Sequence, residues 1–371
     1  MSASSSSLMT TDGAAEQFDI VSSKSLRRVA HLDMDAFYGS VELLRYPQLK
    51  GLPVVIGGSR RSLDEDFLKL IEGKDLSSIE PTQFPQLGSY KGRGVITTAT
   101  YPARQFGVGS AMGLMKAAKL CPQAILLPVD FPRYKHFSSL FKQQILSITP
   151  LMEDRGIDEV YIDFTHVKNG QILGGYELAL QLQTAILTAT GLTCSIGVAP
   201  NKLLAKMASE FNKPKGISII FEEDLATQIW PLECRKINGI GPKTDQKLKS
   251  LGINTIGQLA QKNQLELMQL FGKSYGAWLF DSAWGKDNRV ISTSSEPSSI
   301  SRETTFDKDL SVNQHKQELG TTLDLLCQQV ASDLKRKGYG AKTIGIKLRF
   351  ADFKSVTRDQ TSSVYIQEAD Q

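Results

Sequence analysis

The sequence predicts an α+β fold of several domains, and three observations support this. The first 216 residues alternate in the order strand, helix, strand, strand, helix, strand, which is typical of a ferredoxin-like sheet. Short helices separated by glycine turns fill 217–286, and a strand, a long helix and two strands follow a Ser-rich linker at 287–297. A chain of 371 residues also has the length of roughly two to four domains.

Each element is assigned from its own pattern. Short apolar runs bounded by Gly or Pro are typical of strands, and apolar residues three or four apart are typical of helices. Strands are expected near 28–35, 53–58, 94–100, 124–128, 157–163 and 193–199, and helices near 40–44, 112–120, 134–148, 177–189 and 201–211. The segment 37–127 is expected to form a subdomain inserted after the first strand, and 62–92 is an excursion within it.

Composition limits the class of protein. The net charge of +4 is mildly basic, which permits a polyanionic partner without requiring one. The four cysteines are scattered and form no CxxC pair, so we expect reduced, buried thiols, and the scattered histidines make a zinc site improbable. No run has the length of a membrane span, and the Ser-rich residues 1–27 lack the order of a signal peptide. We expect a disordered tail over 1–27 and a cytoplasmic protein.

Two acidic clusters, distant in sequence, indicate a metal site. Asp33 and Asp35 follow an apolar run and would share one face of a strand, and Asp158 and Glu159 lie in a second strand-like run. Carboxylates at the end of a buried strand are costly unless something compensates their charge, and a bound cation is the usual compensation. If the two strands are neighbours in one sheet, they could form a divalent-metal site for phosphoryl transfer, and oxygen ligands suit Mg²⁺.

This interpretation requires both members of the second acidic pair to reach the same site. Asp158 and Glu159 would point to opposite faces of a regular strand, and Gly156 would permit a turn that breaks the pleat. Asp33 and Asp158 could then bridge two ions, with Glu159 on the side of the nucleophile. The alternative is that such carboxylates are solvated strand ends or salt-bridge partners, and we favour it for Asp35 and Asp163. Lysine or arginine partners on the first three carboxylates would count against the metal site.

A phosphate-binding segment is indicated at 98–104, where hydroxyls, a phenol and a guanidinium stand close together. Arg104 can bind phosphate through two parallel hydrogen bonds and remains charged. Lys206, on the helix expected at 201–211, could supply a second positive charge. Neither signal is specific alone, because a single surface Arg or Lys is usually only solvated.

Two further segments suggest contact with DNA. At 236–243 two glycines separate helical segments, as in a helix–hairpin–helix unit whose backbone N–H groups approach a phosphate, and Lys243, Lys247 and Lys249 follow. The alternative is an ordinary glycine-rich turn. In the strand 342–350 the apolar residues would face a core while basic side chains point outward together, which suits a DNA backbone. Plain solvation of that face explains this strand equally well.

The motifs together resemble those of the Y-family translesion DNA polymerases. The resemblance rests on Asp33–Tyr38 with Asp158–Glu159, on Tyr101–Gly107 and on Gly197–Lys202. The motifs occur in the same order over about residues 28–360, so chance agreement is very unlikely.

The resemblance implies a right-hand polymerase with a ferredoxin-like palm, small fingers, a helical thumb with a helix–hairpin–helix, and an α/β little finger. The implied segments are a tail (1–27), the palm (28–36 and 128–216), the fingers (37–127, with an extended loop at 62–92), the thumb (217–286), a linker (287–297) and the little finger (298–371).

The implied activity is template-directed addition of deoxynucleotides to a primer 3′ end with two Mg²⁺ ions, at low fidelity and across DNA damage. No segment resembles a proofreading exonuclease. Implied catalytic residues and metal ligands are Asp33, Asp158 and Glu159, with the Met34 carbonyl as a further ligand. Tyr38 matches the gate that excludes a ribose 2′-hydroxyl. Implied substrate contacts are Phe37, Tyr38, Thr98, Tyr101, Arg104 and Lys206, and implied DNA contacts are Gly239, Gly241, Lys243, Arg302, Lys347 and Arg349.

The chain departs from this family in three places. Gly156 stands where the family usually has serine. The excursion at 62–92 lengthens the fingers, and we expect a tolerated surface loop rather than a partner site or lid. We expect the little finger to lack a last helix and strand, and 366–371 lacks the Gln-plus-apolar peptide that docks relatives on a sliding clamp. The expected partners are primer-template DNA and deoxynucleoside triphosphates, a sliding clamp would have to bind without that peptide, and the expected state is a monomer.

Two rival functions share some of these features. Nucleotidyl cyclases also place paired carboxylates on such a sheet around two metals, and a DNA-binding scaffold could carry the acidic clusters as structure only. The glycine hairpin and the basic strand favour DNA over a cyclase. Primer extension with Mg²⁺ and deoxynucleotides separates all three.

Overall fold

The computed structural model describes residues 26–58, 69, 71–294 and 296–370, so most of the expected tail and residues 62–68 lie outside the described part. Its strands are β1 (Val29–Met34), β2 (Val54–Gly57), β3 (Ile96–Ala99), β4 (Ile125–Leu127), β5 (Met152–Asp154), β6 (Glu159–Asp163), β7 (Cys194–Ala199), β8 (Ile217–Ile219), β9 (Ala341–Arg349) and β10 (Ser355–Ile366). Its helices are α1 (Phe37–Arg45), α2 (Tyr101–Arg104), α3 (Leu114–Leu120), α4 (Phe131–Leu146), α5 (Tyr176–Thr190), α6 (Lys202–Ala208), α7 (Pro242–Ser250), α8 (Ile256–Ala260), α9 (Gln264–Phe271), α10 (Lys273–Ala283) and α11 (Lys316–Lys337). None of the described helices is long and apolar enough to cross a membrane.

A five-stranded sheet in the order β5-β6-β1-β7-β8 places the first strand in the middle. Strand β1 pairs antiparallel with both β6 and β7, and the helices α4 and α5 make the crossovers, which is the ferredoxin-like arrangement the sequence predicted. Strand β8, Ile217–Ile219, was expected in the thumb but pairs in parallel with β7 and extends the palm sheet. The short helix α6 makes that last crossover.

The central strand is buried on both faces, and its alternation divides its side chains between two cores. Ala30, Leu32 and Met34 belong to the core that α4 and α5 cover, with Leu182 and Phe141 from those helices. The odd-numbered positions of β1 face the opposite side, where α6 and the helical domain pack. Asp33 therefore lies on the α6 side of the sheet.

The fingers contain a three-stranded sheet in the order β3-β2-β4. Described residues of the segment 62–92 add to the open edge of this sheet. Gln86 bridges antiparallel to Ile125, and the amide of Leu126 donates to the carbonyl of Pro85 at 2.8 Å. This backbone pairing closes the edge of β4, which an unpaired strand would leave open.

Side chains of the same segment are buried, so the expectation of a surface loop is wrong for residues 76–90. Ile79 and Phe84 join the palm core, and Leu87 joins the fingers core. The side-chain amide of Gln48 donates to the carbonyls of Leu76 and Ile79 at 2.8 and 2.9 Å. The segment is a structural part of the fingers because it fills space that apolar residues must occupy.

The helical domain consists of α7 to α10 and shares a core with α6. Its end returns to the palm, where the Asn201 side chain donates to the carbonyl of Gly285 at 2.7 Å. The amide of Leu203 donates to the carboxylate of Asp287 at 2.9 Å, beside the start of α6. The four cysteines are free thiols, as predicted, and three are buried while Cys327 is half-buried.

The C-terminal region contains α11 and an antiparallel ribbon of β9 and β10. The strand expected before α11 does not form in the described residues of 298–310. The prediction that the apolar side of β9 faces a core is also wrong, since Ile344, Ile346 and Leu348 are 46%, 38% and 50% exposed. Two strands alone have no opposing layer that could bury a face.

Candidate metal and nucleotide site

The two acidic clusters meet at the end of the central strand, as the sequence predicted. Asp33 and Glu159 are direct partners in the register of β1 and β6, and the amide of Met34 donates to the carbonyl of Asp158 at 3.0 Å. Directly opposed residues on neighbouring strands lie on the same face of the sheet. Asp33 and Glu159 therefore share one face, and the Asp158 carboxylate lies close enough to interact electrostatically with both.

The regular pleat is interrupted before Asp158, as this interpretation required, because residues 156–158 form a bend. Strand β6 begins at Glu159, so Asp158 precedes the strand and its direction is not set by alternation. Gly156 does not adopt a left-handed φ. A Cβ added there would meet nothing closer than 3.8 Å, at Asp158 and Glu159. The predicted turn is present but does not require glycine, and the serine typical of the resembled family would fit.

Lysines occupy two of the three carboxylates, contrary to what the metal interpretation required. The Lys213 ammonium donates to Asp33 Oδ1 at 2.8 Å and to Glu210 at 2.6 Å. The Lys206 ammonium donates to Glu159 Oε2. Clustered carboxylates in a partly buried place need neutralising charge, and an ammonium group supplies it as a divalent cation would. Cations can bind these oxygens only if the two lysines move aside.

The raised pKa values of two of the carboxyl groups still indicate a site that favours cations. Burial raises the pKa of Asp33, although Lys213 partly offsets this. Burial and the neighbouring charge of Glu159 raise the pKa of Asp158. Ionised Asp33 and Asp158 are therefore undercompensated, and an added cation would stabilise them. The donors are hard oxygens, the ligands that Mg²⁺ takes, so the residues present fit that ion.

Sequence analysis missed two residues of this site, His31 and Lys213. His31 is fully buried, and ligand atoms of His31, Asp33 and Glu159 all lie within 4.8 Å of one another. Its position two residues before Asp33 places it on the same face of the strand, a signal that could have found it. Lys213 is 180 residues from Asp33, and nothing distinguishes it among the 43 lysines and arginines of the chain.

The other two acidic residues have structural partners, although these are hydroxyls and backbone amides rather than the solvent or salt bridges that we expected. The Asp35 carboxylate accepts hydrogen bonds from the hydroxyls of Thr193 and Ser195, both at 2.7 Å, and from the amide of Lys215 at 2.9 Å. Asp163 accepts from the amide of Thr165 at 2.9 Å. Asp35 therefore ties the loop after α6 to the sheet beneath the site.

Tyr38 stands beside the carboxylates at the start of α1. Its ring stacks on Tyr134 with centroids 4.3 Å apart, and burial together with the charge of Asp158 raises its pKa. The ring is half-buried, and its role as a gate stays a prediction. Phe37, also predicted to contact substrate, is instead buried against Phe141, and that role stays a prediction.

The predicted phosphate-binding segment forms the end of β3 and the start of α2. The Arg104 guanidinium lies 4.9 Å from the Tyr101 ring centroid and donates to the carbonyl of Ala99 at 2.9 Å. The Tyr101 hydroxyl is buried without a hydrogen-bond partner among the described residues, and burial and the Asp35 charge raise its pKa to about 12. An unpaired buried hydroxyl beside a candidate site is a ready ligand contact. Thr98 is buried against α1.

The predicted hairpin in the helical domain has the expected backbone geometry. Gly239 has a φ of +115°, and a Cβ there would lie 2.6 Å from the Trp278 ring, so glycine is required. Gly241 is the N-cap of α7, and an added Cβ there would meet nothing within 4 Å. Lys243 is exposed in the first turn. An anion could therefore approach the backbone of this helix start.

Several of the predicted basic contacts with DNA already have protein partners. Lys249 pairs with Asp245 at 2.9 Å, and Lys247 donates to the carbonyl of Leu270. The Arg302 guanidinium donates to Asp333 at 2.6 Å. These bonds compete with any phosphate contact.

Lys347 and Arg349 are exposed on β9. They are two residues apart and therefore share a face of the ribbon. The contact of this basic face with DNA stays a prediction.

Protein-family models match most of the chain. The impB/mucB/samB family model matches residues 32–210, and the model of the C-terminal domain of that family matches 297–371. The IMS family HHH motif matches 222–253, where the glycine hairpin lies.

Two curated relatives are both named DNA polymerase IV. The DNA polymerase IV of Dehalococcoides mccartyi strain CBDB1 is 36% identical over 338 residues, which cover 91% of this chain and 77% of the relative. The DNA polymerase IV of Leptospira interrogans is 35% identical over 345 residues, covering 93% of this chain and 86% of the relative.

Solved structures give the same result. A Y-family DNA polymerase chimera of Dbh and Dpo4 superposes with a TM-score of 0.73 at 26% identity, over 92% of this chain and 90% of the other. An insertion ternary complex of Dbh DNA polymerase superposes with a TM-score of 0.61 at 26% identity, over 92% and 90% of the two chains.

Proposed function

The chain belongs to the impB/mucB/samB family of Y-family DNA polymerases, of the DNA polymerase IV type, and on this premise we propose that it adds deoxynucleotides to a primer 3′ end as a DNA template directs. The observation that carries the proposal is the pairing of Asp33 with Glu159 at the end of the central strand, with the Asp158 carboxylate close enough to interact electrostatically with both. The relatives are named as DNA polymerases, which favours this function over that of a nucleotidyl cyclase.

Asp33, Asp158 and Glu159 would hold two Mg²⁺ ions, and the Met34 carbonyl would add a ligand. When bound, such ions activate the attacking hydroxyl and neutralise the charge on the phosphates in phosphoryl transfer. The protein residues supply position rather than covalent chemistry. The raised pKa values of Asp33 and Asp158 support this assignment, since those carboxyls lack sufficient compensating charge.

The basic residues around the carboxylates would bind the triphosphate. Arg104 and the unpaired hydroxyl of Tyr101 lie on the fingers side, and Lys206 and Lys213 lie on the α6 side. An ammonium that leaves a carboxylate when a cation arrives becomes free to contact a phosphate oxygen. The lysine pairs would in this way be resting contacts that substrate and metal replace together.

The sugar and base selectivity would be set by few residues. Tyr38 would exclude a ribose 2′-hydroxyl by its ring, and Thr98 would help to shape the nucleotide pocket. The fingers sheet has only three strands, so a small surface would check the nascent base pair. We therefore infer low fidelity and synthesis across damaged template bases.

Primer extension on matched undamaged and lesion-bearing templates tests the proposal. The wild-type protein should extend both primers with Mg²⁺ and deoxynucleotides, whereas Asp33→Asn should lower the rate at least a thousandfold and leave DNA affinity within about threefold. The reason is that the amide cannot supply the charge that the cations need.

Asp163→Asn is the matched control, because Asp163 lies on β6 and accepts a local hydrogen bond from the amide of Thr165. It should extend primers as the wild type does. Unchanged extension by Asp33→Asn would overturn the metal role. DNA binding by the wild type without any extension would instead support the scaffold alternative.

A further inference from the structure

His31 is a fully buried histidine in the wall of the site, and the proposed reaction gives it no role. It lies on β1 two residues before Asp33 and therefore on the same face of the strand. A buried polar ring costs free energy unless its nitrogens are hydrogen-bonded. The partners of the two nitrogens therefore indicate what the ring does.

One ring nitrogen is anchored to the end of α6. His31 Nδ1 lies 2.9 Å from the hydroxyl oxygen of Ser209, and that hydroxyl lies 2.9 Å from the carbonyl oxygen of Lys206. The Tyr161 ring packs against the histidine with centroids 4.8 Å apart. These contacts fix the plane of the imidazole and aim its other nitrogen.

The other ring nitrogen points at the pair formed by Glu159 and Lys206. His31 Nε2 is 3.3 Å from Glu159 Oε2 and 3.3 Å from the Lys206 ammonium. Because the Ser209 hydroxyl donates to the Lys206 carbonyl, its oxygen accepts from Nδ1–H of a neutral ring, and Nε2 is left to accept from the Lys206 ammonium. His31 Nε2 is therefore a second acceptor that competes with Glu159 Oε2 for that ammonium.

We propose that His31 is a positioning residue that takes part of the hydrogen bonding of the Lys206 ammonium from Glu159 and so leaves the Glu159 carboxylate more open to a divalent cation. The proposal rests on the proposed polymerase function. Groups behind a metal ligand fix its orientation, and removing one typically lowers metal affinity about 10- to 100-fold. His31 would act through Glu159 and Lys206 rather than by touching substrate.

Cation binding to the DNA-free protein tests this directly. Mn²⁺ serves as the probe, and the loss of its free signal in electron paramagnetic resonance gives affinity and stoichiometry. His31→Phe keeps a planar ring without nitrogens and should weaken Mn²⁺ binding at least tenfold. His31→Gln keeps a donor and an acceptor near the position of Nε2 and should bind Mn²⁺ within about threefold of the wild type.

Ser209→Ala provides a second, milder variant in case His31→Phe does not fold. It removes only the hydroxyl that fixes Nδ1 and should weaken Mn²⁺ binding in the same direction by a smaller factor. Primer extension by His31→Phe should require a correspondingly higher Mg²⁺ concentration for half-maximal rate, with the rate recovering at high Mg²⁺.

Three results would overturn the proposal. Unchanged Mn²⁺ affinity in His31→Phe and Ser209→Ala would remove the positioning role. Equal losses in His31→Phe and His31→Gln would mean that ring shape, not hydrogen bonding, matters. Loss of one bound Mn²⁺ in His31→Phe would make His31 a ligand instead. Failure of the wild type to extend any primer would refute the polymerase function itself, so the two failures are distinguishable.

Discussion

Asp33 and Asp35 are separated by one residue, yet their carboxylates have different kinds of partner. Strand β1 ends at Met34, so the turn that follows sends the Asp35 carboxylate to Thr193 and Ser195, where hydroxyl donors satisfy it. The carboxylate of Asp33 has no such donors among the described residues and relies on the Lys213 ammonium. An aspartate whose carboxylate is fully hydrogen-bonded, such as Asp35, stabilises the fold. An aspartate that is paired with a lysine ammonium, such as Asp33, can exchange that partner for a cation.

At the residue scale, Tyr38→Ala should admit ribonucleotides. The Tyr38 ring is held by its stack on Tyr134, and without it nothing would occupy the space beside a ribose 2′-hydroxyl. We expect ribonucleotide incorporation, relative to deoxynucleotide incorporation, to rise at least tenfold, about 1.4 kcal/mol in discrimination. Single-nucleotide insertion kinetics measure this ratio.

Tyr38→Phe is the control for that prediction, since it keeps the ring and loses only the hydroxyl. It should continue to exclude ribonucleotides. Exclusion by Tyr38→Ala, or admission by Tyr38→Phe, would contradict the gate assignment.

At the element scale, the segment 76–90 shows that an insertion can be a necessary part of a core. Phe84 is 2% exposed and meets the Tyr46 ring edge to face at 5.3 Å. Phe84→Ala should lower the free energy of unfolding by about 3–5 kcal/mol, because it leaves a cavity where the insertion joins the palm core. Denaturant unfolding measures the change.

Thr82→Ala, at an exposed position of the same segment, should change stability by no more than about 0.5 kcal/mol. If Phe84→Ala were equally harmless, the segment would be the tolerated surface loop that the sequence suggested. Its apolar residues would then contribute nothing to the fold.

Some elements could be predicted from sequence because their signal is local. The palm strands and helices follow from apolar periodicity, and the acidic strand ends stand out because charge is rare in buried strands. The Gly239 turn follows from the backbone freedom of glycine.

Other features depend on contacts distant in the chain and could not be predicted. The pairing of Lys213 with Asp33, the burial of Ile79 and Phe84 and the edge pairing at Gln86 all join segments far apart in sequence. The exposed apolar face of β9 is a similar case, since alternation predicts two faces but not whether a second layer covers one.

At the scale of the whole molecule, a buried ion pair joins the palm to the end of the helical domain. The Lys202 ammonium donates to both oxygens of Glu153 at 2.7 and 2.6 Å and to the carbonyl of Val290 at 3.2 Å. The amide of Ser292 donates to Glu153 at 2.8 Å. The ion pair therefore holds in place the segment that follows the helical domain, around Val290 and Ser292.

Lys202→Met should destabilise the protein by about 3–5 kcal/mol, because it leaves the Glu153 charge buried without its main partner. The double variant Lys202→Met with Glu153→Gln removes that charge and should recover most of the loss. Urea unfolding of the four proteins in this cycle measures the coupling. Equal stability of the single and double variants would mean that the pair is not a unit.

The most direct test of the account is a crystal structure with primer-template DNA, an incoming deoxynucleotide and Mn²⁺, located by anomalous scattering. We predict Mn²⁺ bound by Asp33, Asp158 and Glu159, with Lys206 and Lys213 released from the carboxylates. Mn²⁺ bound elsewhere, with both lysines still paired as they are now, would contradict the account.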